Sequence, residues 1–319
     1  LGALAIPLLD GTAQVLLLLG STLLVGIAGA YEQTARNKYC SLLVNHPGEL
    51  GSYLASFSVV FNVGKLVGPP IGGLLVAATG PAWALGIDAT SYLLPIASVM
   101  FLLRPRRDQE QRSAPGERAS LSNAWQDCGS TLRGVLSLTA VLCLVNFFHP
   151  GLAPLIAERV LGPSPQDLGL FTSVLAAGSI AGGVVLQRNS DRFCRRPFLT
   201  LGGFGLVTSI AQLGMARSPG VAFSLAMAFL IGAGTAGLLS SCNLISQIGS
   251  PQVMRGRMAG LSQIAFLGGG GLSGLLAAAL VMVTDLPTTF AISGGIGAAL
   301  ALLWIQRRSD QRLEPLRSA

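Results

Sequence analysis

Charge is what this sequence has least of. Asp, Glu, Lys and Arg make up 11% of its 319 residues, where a soluble protein carries about a quarter. Histidine occurs only at 46 and 149, which excludes a histidine-rich metal site and an H-E-x-x-H zinc motif. The five cysteines are scattered and form no C-x-x-C pair, so neither a metal knot nor a disulfide framework is indicated. No G-x-S-x-G nucleophile turn and no G-x-x-x-x-G-K-[ST] phosphate loop is present, which removes one serine-hydrolase chemistry and nucleotide hydrolysis. The expectation is a protein that is not an enzyme, binds no metal and needs no cofactor. Any work it does draws on an ion gradient or a partner.

Apolar length fills the space that charge leaves. Hydrophobic residues are 51% of the chain, mean hydropathy is +0.62, and runs of the ~20 residues needed to cross a bilayer recur throughout. They fall near 12–31, 51–78, 82–103, 132–156, 168–187, 197–216, 219–245, 258–284 and 287–306, giving nine complete spans. Leu1–Leu9 is apolar but too short to cross and is read as the tail of an earlier helix. No basic segment with a small-residue cleavage site opens the chain, so no signal peptide is read there.

The few basic residues are placed unevenly. With the first complete span running inward, 18 of the 21 Lys and Arg lie in the segments 32–50, 104–131, 188–196, 246–257 and 307–319, counting Arg133 as inner. Arg159 and Arg217 fall outside and Lys65 within a span. By the positive-inside rule this predicts a cytoplasmic C-terminus in a plasma (inner) membrane. The net charge of +7 is then a topology signal and needs no nucleic-acid partner; the partner it fits is the lipid bilayer.

The segment 64–73, GKLVGPPIGG, sits inside the second long run. Gly64, Gly68 and Gly72 recur every four residues and leave one helix face without side chains, where a second backbone can pack closely. Pro69 and Pro70 remove two backbone donors and bend the span. Shifting Gly68–Ala78 by 201 residues lays it on Gly269–Ala279 with six identities in eleven positions, the mark of a duplicated half. The polar stretch 104–123 divides three spans from six. Equal halves then require three further helices before Leu1. The domains expected are an incomplete N-terminal bundle over 1–103, a cytoplasmic central loop over 104–131, a six-helix bundle over 132–306 and a tail over 307–319.

On these residues the chain resembles the major facilitator superfamily. GKLVGPPIGG resembles the antiporter motif of that superfamily's exporters at Gly64, Gly68, Pro69, Gly72 and Gly73, with Ala55 where a further glycine is expected. GKLVGPPIGGLLVAATG, LAPLIAERVLGPSPQDLGLFTSVLAAGSIAGG and RGRMAGLSQ are similar to the branch of the enterobactin exporter and macrolide efflux proteins. The counterpart loop after the eighth span departs from the pattern, with Cys194 where a glycine is expected. The resemblance implies an all-α membrane protein of two bundles, lacking its first two to three helices. It also implies a monomeric secondary transporter exporting a small molecule, siderophore or drug-like, against protons by alternating access. The alternative is a transport-inactive fragment or regulatory membrane protein.

Polar residues inside spans are functional candidates by default. Lys65 stands about 14 residues above the inner end of its helix, ~21 Å along the axis, with Asn62 on the same face. Asp88 lies in the next span. Each reads either as a contact to substrate or proton or as part of a structural ion pair. Asn146 lies one turn before His149-Pro150, a polar break late in the seventh span. His149 reads as a proton-sensing group or as a histidine at the aqueous end of a kinked helix. Gly178 with Gly182, and Gly268–Gly271, are expected as close contacts between moving parts.

Overall fold

The computed structural model describes residues 11–43, 64, 67–68, 70–102, 121–250, 254–308 and 310–311. Every regular element among them is helical. The chain divides into two units, Leu1–Glu117 and Arg118–Ala319.

The first unit contributes α1 (Gly11–Leu43), α2 (Pro70–Thr79), α3 (Pro81–Ser91) and α4 (Leu93–Leu102). The apolar part of α1, Gly11–Gly29, is long enough to span and agrees with the expected span at 12–31. Of the expected span at 51–78 the described part is α2 with helical backbone at 64 and 67–68. Gly80, at φ +81°, separates α2 from α3. Only glycine takes that conformation without strain, and Pro81 at the first turn of α3 needs no donor there. The expected span at 82–103 comes as two short helices joined at Tyr92. Pro95 has no N–H for the Ser91 carbonyl, and Ser91 Oγ donates instead to the Asp88 carbonyl at 2.7 Å.

The second unit carries all six spans expected after the central loop. Short α5 (Leu121–Asp127) precedes α6 (Ser130–Asn146), α7 (His149–Val160), α8 (Pro165–Arg188), α9 (Ser190–Arg195), α10 (Pro197–Ala216) and α11 (Val221–Ile248). α12 (Arg255–Gln263) then runs through a π-helical turn, Ile264–Gly268, into α13 (Gly269–Val283), and α14 (Leu286–Arg308) follows. α8 opens with a capping box: Asp167 N–H donates to Ser164 Oγ at 3.2 Å and Ser164 N–H to Asp167 Oδ2 at 3.3 Å. Gly162, at φ +151°, makes the turn before it. α8 packs on α11, α10 on α11 and α14, and α6 on α13.

Exposure is inverted relative to a soluble protein. Ile210, Leu275 and Met282 are 60%, 70% and 86% exposed, while Thr139, Ser209, Gln212 and Thr289 are completely buried. Apolar flanks facing out and hydrogen-bonding groups facing in are what lipid demands of a helical bundle. Arg188, Arg192, Arg195 and Arg196 cluster at the α8–α10 turn. Arg308, at the end of α14, joins that same end, its guanidinium 5.5 Å from the Phe198 ring and 5.2 Å from Trp304. Arg159 and Arg217 mark the other end, where α7 and α10 finish.

The bundle has two apolar cores. One gathers Leu138, Leu142 and Cys143 with Leu201, Leu238, Phe266 and Ala301. The other gathers Phe148, Ile156, Ala211, Ile231, Ala277 and Phe290. Between them, on α6, α10, α13 and α14, fall Asn146, Ser209, Ser273 and the small residues Gly294 and Gly297. The cores are divided by a polar layer.

Candidate functional site

The polar layer is built around a broken helix. Pro150 has no N–H to give the carbonyl four residues earlier, which belongs to Asn146. Gln212 on α10 supplies the missing donor, its Nε2 lying 2.8 Å from that carbonyl oxygen. A neighbouring helix thereby re-satisfies a proline-freed backbone group, the condition on which lipid tolerates such a break. Phe147 N–H closes α6 on the Cys143 carbonyl at 2.9 Å, and Gly151 and Leu152 N–H both turn to the Phe148 carbonyl to open α7.

Side chains tie the break to two more helices. Asn146 Nδ2 donates to Ser209 Oγ at 3.0 Å. A methyl at Gly297 of α14 would meet Asn146 Oδ1 and Ser209 Oγ, so the glycine makes the space the amide occupies. His149 is 6% exposed and meets the Phe147 ring edge-on, centroids 5.1 Å apart. Phe147 in turn lies 4.5 Å from Phe266 in the π-helical turn and against Gly270. Asn146 Oδ1, His149 Nδ1, Gln212 Oε1 and Ser273 Oγ are buried without a hydrogen-bond partner. Four unanswered polar atoms gathered around one helix break are a place where a guest or a proton can bind; Ser241 Oγ and Ser246 Oγ are also without a partner.

The structure thus brings Asn146 and His149 together. It corrects the reading of His149 as an aqueous-end residue: the ring is buried in the layer because the chain reverses direction only at Val160, three turns further on. Ser209 and Gln212 were missed in the sequence, although their three-residue spacing puts both on one face of α10 and Pro150 announces a carbonyl in need of a donor.

Asp88 stands exposed on α3. Asn62, Lys65 and Pro69 lie outside the described residues. Gly64, Gly68, Gly72 and Gly73 are helical, and no described atom comes within 4 Å of a methyl placed on Gly64, Gly68 or Gly72. The closest glycine contacts are elsewhere. A methyl on Gly178 or Gly182 would strike the Phe229 or Ala233 carbonyl of α11, and one on Gly232 the Leu175 carbonyl of α8. Ser179 Oγ reaches across this seam to the Gly232 carbonyl at 3.3 Å. A methyl on Gly269 would come 2.6 Å from the Ala140 carbonyl of α6. Both seams lie within the second unit, where they join its helices to one another.

Outside the spans two groups are perturbed. Burial pushes the Cys128 thiol up, with Arg133 opposing, and the Arg133 Nε donates to the Cys128 carbonyl at 3.0 Å. Hydrogen bonding from the Thr288 side chain, and from its N–H 2.7 Å from Asp285 Oδ1, holds the Asp285 carboxyl below its ordinary value.

A family profile described as transmembrane secretion effector matches residues 3–312. The multidrug efflux pump Tap of Mycolicibacterium fortuitum is 24% identical over 283 residues, 84% of this chain and 66% of that protein. Tap of Mycobacterium tuberculosis is 24% identical over 248 residues, 74% of this chain and 56% of that one. The chain therefore spans less than two thirds of the length of these relatives. A crystal structure of the peptide transporter POT in complex with sulfate superposes with a TM-score of 0.67 at 12% identity, covering 98% of this chain and 79% of that one, which shows the fold. The all-helical two-unit chain, with its lipid-facing apolar flanks and polar interior layer, belongs to the transmembrane secretion effector family of the major facilitator superfamily, a family of transporters and not of enzymes.

Proposed function

We propose that this chain works in a secondary active exporter of small drug-like molecules, driven by the proton gradient and operating by alternating access. The observation that carries the reading is the buried layer at the α6–α7 break, whose Asn146 Oδ1, His149 Nδ1 and Gln212 Oε1 have no partner. The names of the multidrug efflux relatives support drug-like cargo over a siderophore. His149 is the ionisable member of the layer and the proposed proton carrier. Asn146 and Gln212 would offer amide contacts to cargo. In the first unit, Gly64, Gly68, Pro69, Gly72 and Gly73 are the proposed hinge, and Asn62, Lys65 and Asp88 the proposed polar contacts.

Alternating access rocks or gates one bundle against the other around a fixed site, often with a discontinuous helix at that site. The α6–α7 break is pre-bent and held by two side-chain hydrogen bonds, while the α8–α11 seam is locked by carbonyl-to-glycine contact. The basic end formed by Arg188–Arg196 and Arg308 supports a cytoplasmic C-terminus in the plasma membrane. The monomer is the proposed working form.

The test is accumulation of ethidium and a macrolide in efflux-deficient cells expressing the full-length gene. Expression should lower accumulation, a protonophore should abolish the effect, and His149→Gln should abolish it at equal expression. Export that persists in His149→Gln with unchanged protonophore sensitivity would remove His149 from coupling. Unchanged accumulation with the wild-type gene would reject drug export.

A further inference from the structure

At the end of the second unit remote from its basic clusters lies a cavity of about 520 Å³, within the ~300–1,000 Å³ range of small-molecule sites. Leu155 of α7, Met215 of α10 and Phe290 of α14 make its floor apolar. Arg159, in the last turn of α7, and Asp285, at the start of α14, put one charge of each sign on its wall. The two form no ion pair with each other among the described residues. Asp285 Oδ1 accepts from Thr288 N–H, and an ionised carboxylate has lone pairs for further donors. The Arg159 guanidinium has no acceptor among the described residues, so its planar fork of N–H donors is available, the geometry that fits phosphate.

The surroundings are those of a membrane surface. The cavity opens among the ends of five spans, α7, α10, α11, α13 and α14, the depth at which headgroups lie. Met282 and Val283 beside it on α13 are 86% and 79% exposed, flanks suited to acyl chains. A soluble zwitterion would have no use for the apolar floor. An anionic lipid would meet Asp285, and a cationic amphiphile Arg159.

We propose that this cavity binds a phosphatidylethanolamine lipid, its phosphate on the Arg159 guanidinium, its primary ammonium on the Asp285 carboxylate and the first carbons of its chains on Leu155, Met215 and Phe290. The site bridges α7 to α14. It stands whether or not the chain exports drugs.

The experiment is native mass spectrometry and thermal unfolding of the purified full-length protein in detergent. Dioleoyl phosphatidylethanolamine, dioleoyl phosphatidylglycerol and soluble glycerophosphoethanolamine are added in turn. Phosphatidylethanolamine should be retained at least tenfold better than phosphatidylglycerol and raise Tm, and the soluble headgroup should do neither. Arg159→Ala and Asp285→Asn should each abolish the preference; Asn keeps an acceptor for Thr288, so the cap and the lipid-free Tm should hold. Asp285→Arg should reverse the preference towards phosphatidylglycerol, a gain that misfolding does not produce. Equal retention of the two lipids by the wild type would overturn the site, as would a preference surviving in both neutralised variants. Binding of glycerophosphoethanolamine as tight as the lipid would show a soluble zwitterion as the ligand and overturn the lipid assignment.

Discussion

Two glycine stripes of the same spacing behave differently in this molecule. Gly178 and Gly182 of α8 lie against the Phe229 and Ala233 carbonyls of α11, and Gly232 returns the contact to Leu175. Gly64, Gly68 and Gly72 repeat the four-residue interval, yet no described atom approaches within 4 Å of where their side chains would start. The interval makes a groove; what fills it depends on the facing helix. Where the partner also carries a glycine at the crossing, the backbones interlock and gain the van der Waals contact that drives association in lipid. The α8–α11 stripe is a weld, while the stripe from Gly64 to Gly72 meets no described atom and motion is its proposed role.

The sharpest way to break that contrast is to fill both grooves. Gly182→Leu drives four carbons into the Ala233 carbonyl, and overpacking on a backbone that cannot give should cost about 3 kcal/mol or more. The variant should fail to accumulate as folded protein, or lose its cooperative thermal transition in detergent. A wild-type Tm for Gly182→Leu would show that the seam is loose. Gln212→Leu comes next. It orphans the Asn146 carbonyl at the break, and a buried unpaired acceptor costs about 1–2 kcal/mol, equivalent to ~2–8 °C in Tm for a unit of this size. Export should fall with it, whereas Gln212→Glu, presenting no N–H at that oxygen if ionised, should be worse still. An unchanged Tm in Gln212→Leu would mean that water or a shifted helix answers the carbonyl.

Smaller effects calibrate the ends of the helices. Ser164→Ala removes one half of the capping box and should cost about 1 kcal/mol, read as a Tm loss within a few degrees and no change in export. The smallest concerns Cys128, buried and with its thiol raised above the ordinary value by that burial. Maleimide should label it slowly at neutral pH in the folded protein and rapidly once detergent-unfolded. A raised folded value means the folded state holds the thiol proton more tightly. Whatever stability this linkage contributes is therefore complete below the unfolded thiol's pKa and fades as pH rises towards the folded one. Fast labelling of folded protein at neutral pH would contradict the burial.

Much of the fold was legible because lipid imposes a simple code. Length and hydropathy placed all six spans of the second unit, and the scarcity of Lys and Arg made their one-sided placement readable. The site was half legible. His149-Pro150 announced a break, but not which side of the helix it turned inward, because that is decided by Gln212, sixty residues away in sequence and with no local signal of its own. Gly178 and Gly182 announced a close crossing, but their partner Gly232 sits in the same unit, and a one-dimensional pattern does not distinguish a weld from a sliding contact. Tyr92 interrupts the third expected span since Pro95 withholds a donor three residues on, an effect composition alone averages away.

The most direct test of the account is export of ethidium by full-length Gly68→Leu, measured beside wild type at equal expression and equal Tm. A leucine in an open groove leaves folding intact. If the groove closes on a partner during transport, the side chain acts as a wedge, and a bias of ~3 kcal/mol depletes the disfavoured state to under about one per cent. The account predicts a stable protein with export reduced at least tenfold. Wild-type export from that stable protein would contradict it, and the stripe from Gly64 to Gly72 would then have no part in the motion.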